Sequence, residues 1–233
     1  MNRKATLIIA LLLLAPFAAI GASIRPASAV ETLKVGVIGP YNLAQWHKEM
    51  GGMEGGALLA MMDGLGKINI GGTEYQVELV FADEHAYPMD EAKAYDSAMS
   101  LCLEGCKFII GGFRTEVTWK IIEAIRDYNE ATGSKVIFLI NGASTDALIS
   151  ETVGKDYSRY KWLFRINPIN STMLGKTVFG YLTGYLIPKK LLPMWGTPVK
   201  VGCLVEDLAW TVGIGYFVMN ILPTLFPAGT VES

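Results

Sequence analysis

A chain of 233 residues is long enough to bury a core of about one and a half ordinary domains. Hydrophobic residues make up 51% and charged residues 18%, and a net charge of -2 offers no basic field to a phosphate backbone. Nucleic acid is therefore excluded as an expected partner.

In residues 1–29, Asn2-Arg3-Lys4 precedes an apolar run from Ala5 to Ile20, and Ala27 and Ala29 stand at the minus-three and minus-one places of a cleavage site. This order of charge, apolar centre and small residues is that of a signal peptide. Cleavage would release a secreted chain, periplasmic or extracellular. Left uncleaved, the run approaches the roughly 20 residues that span a bilayer and would act as an anchor. Export also bears on Cys102 and Cys106, four residues apart around Gly105. An oxidising compartment allows that pair to bridge, and a free pair is the alternative. Cys203 lies in an apolar run and reads as a core residue.

Strands and helices then alternate. Leu33–Ile38 is a short apolar strand ended by Gly39-Pro40, and Met53–Met62 has helical spacing. A turn at Gly71-Gly72 leads into an alternating strand at 75–81. Asp90–Leu103 reads as a helix with acidic residues at its start, Phe108–Ile110 as a strand, Thr115–Asn129 as a helix and Lys135–Ile140 as a strand. Strands separated by helices of this length imply a parallel, doubly wound α/β sheet covered on both faces, with any ligand at the carboxyl ends of the strands. After an aromatic-rich run at 160–167 a second unit begins: a helix over 171–186, a strand over 199–205 and a helix over 210–222. One strand-helix pair cannot cover its own sheet, so the expected organisation is a first lobe over 30–160, then a hinge crossing and an incomplete second lobe over 161–233.

The loops after the strands carry the candidate chemistry. In Gly142-Ala143-Ser144-Thr145-Asp146, Asp146 replaces the second glycine of a hydrolase elbow, and the chain has only His47 and His85 as bases. The other reading is a loop whose hydroxyls and amides grip a carboxylate. Gly111-Gly112-Phe113-Arg114-Thr115-Glu116 has the same placement. Thr115 is a natural helix cap, Arg114 a fork for an anion and Glu116 an acceptor for an ammonium, or the two charges form a solvated pair at a cleft rim. Asp83-Glu84-His85 is contiguous, lacks the separated ligands of a zinc or iron site, and reads as a solvated turn. No dinucleotide fingerprint or phosphate-binding P-loop occurs, so no cofactor is expected. Trp46 and Trp210, outside the apolar strands, would wall the mouth of a cleft, one from each half.

Taken in order, Val35-Gly36-Val37-Ile38-Gly39-Pro40, Ala44-Gln45-Trp46, Gly55-Gly56-Ala57, Phe81-Ala82-Asp83, Ile109-Ile110-Gly111-Gly112, Asn141-Gly142-Ala143-Ser144-Thr145, Phe164-Arg165 and Glu206-Asp207-Leu208-Ala209-Trp210 resemble the leucine/isoleucine/valine-type substrate-binding proteins of ABC transporters. The resemblance runs from about Leu33 to Phe217. It implies a type I periplasmic-binding fold, two lobes closing on an amino acid or similar small solute, and docking on a membrane permease. It also implies roles for Trp46 and Trp210 as the aromatics of the two lobes, and for Thr115, Glu116, Ala143, Ser144 and Thr145 at the ligand carboxylate. Arg114 and Glu116 depart from the family's small polar pattern. A sensory module of the same fold and an exported α/β hydrolase are the competing classes.

Overall fold

The computed structural model describes residues 30–41, 52–167 and 170–232. The expected leader over 1–29 and Trp46 lie outside the described residues.

Strand β1 (Glu31–Gly39) lies at the centre of a six-stranded sheet with β2 (Lys67–Ile70), β3 (Thr73–Asp83), β4 (Phe108–Gly111), β5 (Ile137–Ile140) and β6 (Leu163–Arg165), in the order β2-β3-β1-β4-β5-β6. All pairs are parallel except β2-β3, an antiparallel hairpin turned by Gly71 and Gly72, which the sequence reading did not resolve as two strands. The run at 160–167 supplies β6, which pairs with β5 and so completes the first sheet. Strand order reverses between β1 and β4, which makes the carboxyl ends of these two strands the topological switch point.

Parity along the strands separates two unlike faces. Ile38, Ile109, Phe138 and Ile140 point to one side and are fully buried beneath α2 (Glu91–Leu103) and α3 (Thr115–Thr132). Helix α3 buries Val117, Thr118, Ile121, Ile122, Ile125 and Asn129 at three- and four-residue spacing, and each fully buried aliphatic side chain contributes about 1.5–3 kcal/mol. Asn129 then closes the turn into β5, its Nδ2 donating to the Val136 carbonyl at 3.1 Å and its Oδ1 accepting the Val136 N–H at 2.8 Å. Among the described residues the opposite face carries α1 (Gly52–Asp63) alone, a helix with apolar residues on all sides and none of them buried.

The second unit is less regular than its sequence pattern. Helix α4 (Ser171–Tyr181) continues through Leu182–Leu191 in wider turns that accommodate Pro188, and ends at Trp195. Of the expected strand over 199–205 only β7 (Val199–Lys200) forms, pairing with β8 (Val231–Glu232). Helix α5 (Val212–Tyr216) extends through 217–225, and Ile187, Val218, Leu222 and Val231 form a small core of their own. Among the described residues no helix is long and apolar enough to cross a membrane.

Cys102 and Cys106 are free thiols, contrary to the bridged alternative, and both lie inside the core between α2 and the sheet. Burial pushes the Cys102 thiol up to about 12 and the Cys106 thiol up to about 11, with neighbouring negative charge adding to each. Since the thiolate is the reactive form, neither should react with a disulfide reagent at pH 8 until denaturant is added. Rapid native labelling, or an intact mass two units lower, would contradict this arrangement.

Candidate functional site

At the switch point a hollow of about 610 Å³ opens among Pro40 and Tyr41 after β1, Phe113 after β4, Asn141 and Gly142 after β5, and Met53 and Gly56 of α1. Its volume is in the range of small-molecule sites and its wall is mostly apolar. The two site loops pack against each other: a Cβ added to Gly142 would meet the Phe113 Cα at 2.7 Å, and the Ala143 N–H donates to the Gly112 carbonyl at 2.7 Å. Asn141 Oδ1 in this wall and Thr115 Oγ1 at the start of α3 are buried without a hydrogen-bond partner among the described residues.

Glu84 overturns the solvated reading of the acidic triplet. Its side chain is 0% exposed, and its carboxyl oxygens accept the Phe113 N–H at 2.8 Å and the Arg114 N–H at 3.3 Å. It therefore takes the capping role that the sequence assigned to Thr115, whose hydroxyl makes no cap bond. Burial pushes the Glu84 carboxyl up to about 8, the two amides pull in the other direction, and the charge of Asp83 adds to the rise. His85 stays with Asp83, its backbone N–H donating to Asp83 Oδ1 at 2.9 Å.

The loop after β5 also differs from its expected use. Ala143 is buried in the core and its amide is engaged, while Ser144 Oγ donates to the Gly142 carbonyl at 3.1 Å. His85, the only histidine among the described residues, bonds to Asp83, and His47 lies outside the described residues. Thr145 is buried and its carbonyl accepts from the Arg165 guanidinium. Asp146, in the place of the elbow's second glycine, ties this loop to α4: its Oδ2 accepts the Thr172 N–H at 3.0 Å and the Ser171 hydroxyl at 3.1 Å. Partial burial alone would raise its carboxyl, but those bonds and the Arg165 charge hold it below the ordinary carboxylate value. The Ser171 N–H also donates to the Ser144 carbonyl at 2.8 Å.

Ser171 and Thr172 lead into a second hollow, of about 390 Å³, walled by Lys176, Phe179, Trp210 and Phe217. The structure thus brings Ser144 and Trp210 to a common neighbourhood through α4. Arg114 and Glu116 form an ion pair at 3.3 Å, and Glu116 Oε1 accepts the Ala209 N–H at 3.1 Å. Their side chains are 17% and 21% exposed, so the pair is partly shielded from solvent. Sequence reasoning missed Glu84, Asn141, Asp146 and Arg165. Only Arg165 had a visible signal, an arginine inside an apolar run. Among the described residues no three His, Cys, Asp or Glu side chains converge as metal ligands would.

No protein-family model and no curated sequence matches the chain. Solved structures do match it in shape. The leucine-, isoleucine-, valine-, threonine- and alanine-binding protein of Brucella ovis, in its closed conformation, superposes with a TM-score of 0.58 at 16% identity over 87% of this chain and 47% of that one. A solute-binding protein of an ABC transporter from R. palustris, in complex with 4-hydroxybenzoate, gives 0.55 at 20% identity over 87% and 46%. The leucine-binding protein of Thermotoga maritima gives 0.54 at 19% identity over 86% and 47%. The chain thus spans a little under half the length of these proteins. Over that span it has the type I fold of the periplasmic solute-binding proteins of ABC transporters.

Proposed function

We propose that the protein captures a small carboxylate-bearing solute, an amino acid or an aromatic acid, outside the cytoplasmic membrane and presents it to an ABC permease, acting by binding and not by turnover. The observation that carries this reading is the mostly apolar hollow at the switch point, walled by the residues that follow β1, β4 and β5, where open α/β sheets hold their ligands. Ser144, Thr145 and Trp210 are proposed to complete the site, together with Trp46. The organisation into a first lobe and a second closing lobe belongs to the same reading.

A thermal-shift screen of the intact protein against L-leucine, L-isoleucine, L-valine, 4-hydroxybenzoate and 3,4-dihydroxybenzoate tests it. A bound ligand at about 100 times its Kd adds about 2.7 kcal/mol, or several degrees in Tm. The shift should shrink in Trp210→Ala, which removes the aromatic wall of the second hollow. If no small carboxylate moves Tm, the proposal fails.

A further inference from the structure

The Glu116 carboxylate reaches from one unit to the other. Its Oε1 accepts the Ala209 N–H at 3.1 Å across 93 residues of chain, and its Oε2 lies 3.3 Å from Arg114 Nε. Arg114 is itself held twice: Nη1 donates to the Ala86 carbonyl at 3.4 Å, and the guanidinium carbon stands 5.0 Å over the Tyr87 ring. The two side chains are only 17% and 21% exposed, so the pair is partly shielded from solvent. Both sit at the start of α3, whose inner stripe is packed into the core, so they stand on a rigid base. Ala209, by contrast, belongs to a turn whose next residue, Trp210, walls the second hollow.

We propose that Arg114 and Glu116 form an interlobe latch, in which Arg114 positions the carboxylate and Glu116 clasps the Ala209 amide, holding the Trp210 turn against the site loops of the first sheet. This rests on the two-lobe capture reading and changes one part of it. Glu116, which the sequence offered to a ligand ammonium, is a positioning residue that acts through Trp210. A carboxylate accepting from a backbone N–H is a charge-assisted bond, stronger than a neutral pair, and a contact that is lost when two units part biases the equilibrium toward the arrangement that makes it. Two ordinary polar side chains would give neither the reach nor the fixed orientation. The departure of Arg114 and Glu116 from small polar residues is thereby explained by closure and not by the solute.

Residue-resolved amide exchange on the intact, ligand-free protein tests the latch. In Glu116→Ala the Ala209 amide should exchange about tenfold faster, the factor that corresponds to losing one such bond. Glu116→Gln, which keeps an acceptor oxygen, should show a smaller rise, and Arg114→Gln a rise between the two. The Ile122 and Phe138 amides in the core should keep their wild-type rates in all three variants. An unchanged Ala209 rate in Glu116→Ala overturns the latch. So does an equal acceleration at Ile122, which would report general loosening. No solute enters this measurement, so its failure is distinguishable from a failed thermal-shift screen.

Discussion

Gly111→Ala is expected to lose more than about 4 kcal/mol of stability, a loss found only when a substitution strikes a special backbone or packing feature. Gly111 ends β4 with φ 147°, a region of the backbone map that is essentially confined to glycine. Steric crowding adds to that strain. A Cβ there would overlap the Ile38 carbonyl oxygen and approach Ile38 Cγ2 at 2.7 Å. Ile38 is fully buried, and its backbone is the register partner of Gly111 in the β1-β4 pairing. Neither strand can retreat, because β1 is held by β3 on its other side and β4 by β5. Gly133→Ala is the matched control: φ is 69° at the end of α3, but the space around it is open, so the expected loss is about 1 kcal/mol. Equilibrium unfolding in urea of the two variants separates these values. A Gly111→Ala midpoint equal to that of Gly133→Ala would show that the strand ends are free to move apart.

Gly111 also shows how far the sequence reaches. That Gly111-Gly112 ends a strand was readable from the apolar run before it, because a run of β-branched residues stopped by glycine has one common meaning. The helices over 91–103 and 115–132 were readable for the same kind of reason, a period that repeats over several turns. What did not show was contact between segments distant in sequence. Nothing local to Asp83-Glu84-His85 announces that the middle residue turns inward to amides 29 and 30 residues away. Nothing in Glu116 announces Ala209. The apolar run over 199–205 predicted a strand by composition, yet a strand needs a neighbour, and β8 pairs with only two of its residues. Lys67–Ile70 alternates as a strand should but is too short to be told from its flanking turn. The sequence put the candidate site on the loops after the strands, and the hollow at the switch point is walled by residues of those loops, while the arrangement of individual groups within them depends on tertiary hydrogen bonds.

Glu84 yields the second large effect, and it has two parts. Glu84→Leu removes the acceptor of the Phe113 and Arg114 amides and leaves both donors inside the protein; at roughly 1–3 kcal/mol for each, the variant should lose about 2–6 kcal/mol at low pH, where the Glu84 contribution is complete, and progressively less as pH rises. Glu84→Gln keeps the shape and one acceptor oxygen, and isolates the role of charge. With a folded-state value of about 8 against an ordinary 4.5, the folded protein holds a proton that the unfolded chain releases. Below about 4.5 both states are protonated and the contribution of Glu84 to stability is complete. As pH rises from about 4.5 to about 8, the unfolded chain gains by ionising and the folded protein does not, so stability falls by up to about 1.4 kcal/mol per pH unit from this group, then levels off. The measurement is urea unfolding of wild type and Glu84→Gln at pH 5, 6.5 and 8. The wild type should lose stability across the series relative to the variant, and parallel profiles would mean that the two amides, and not burial, control the protonation of Glu84.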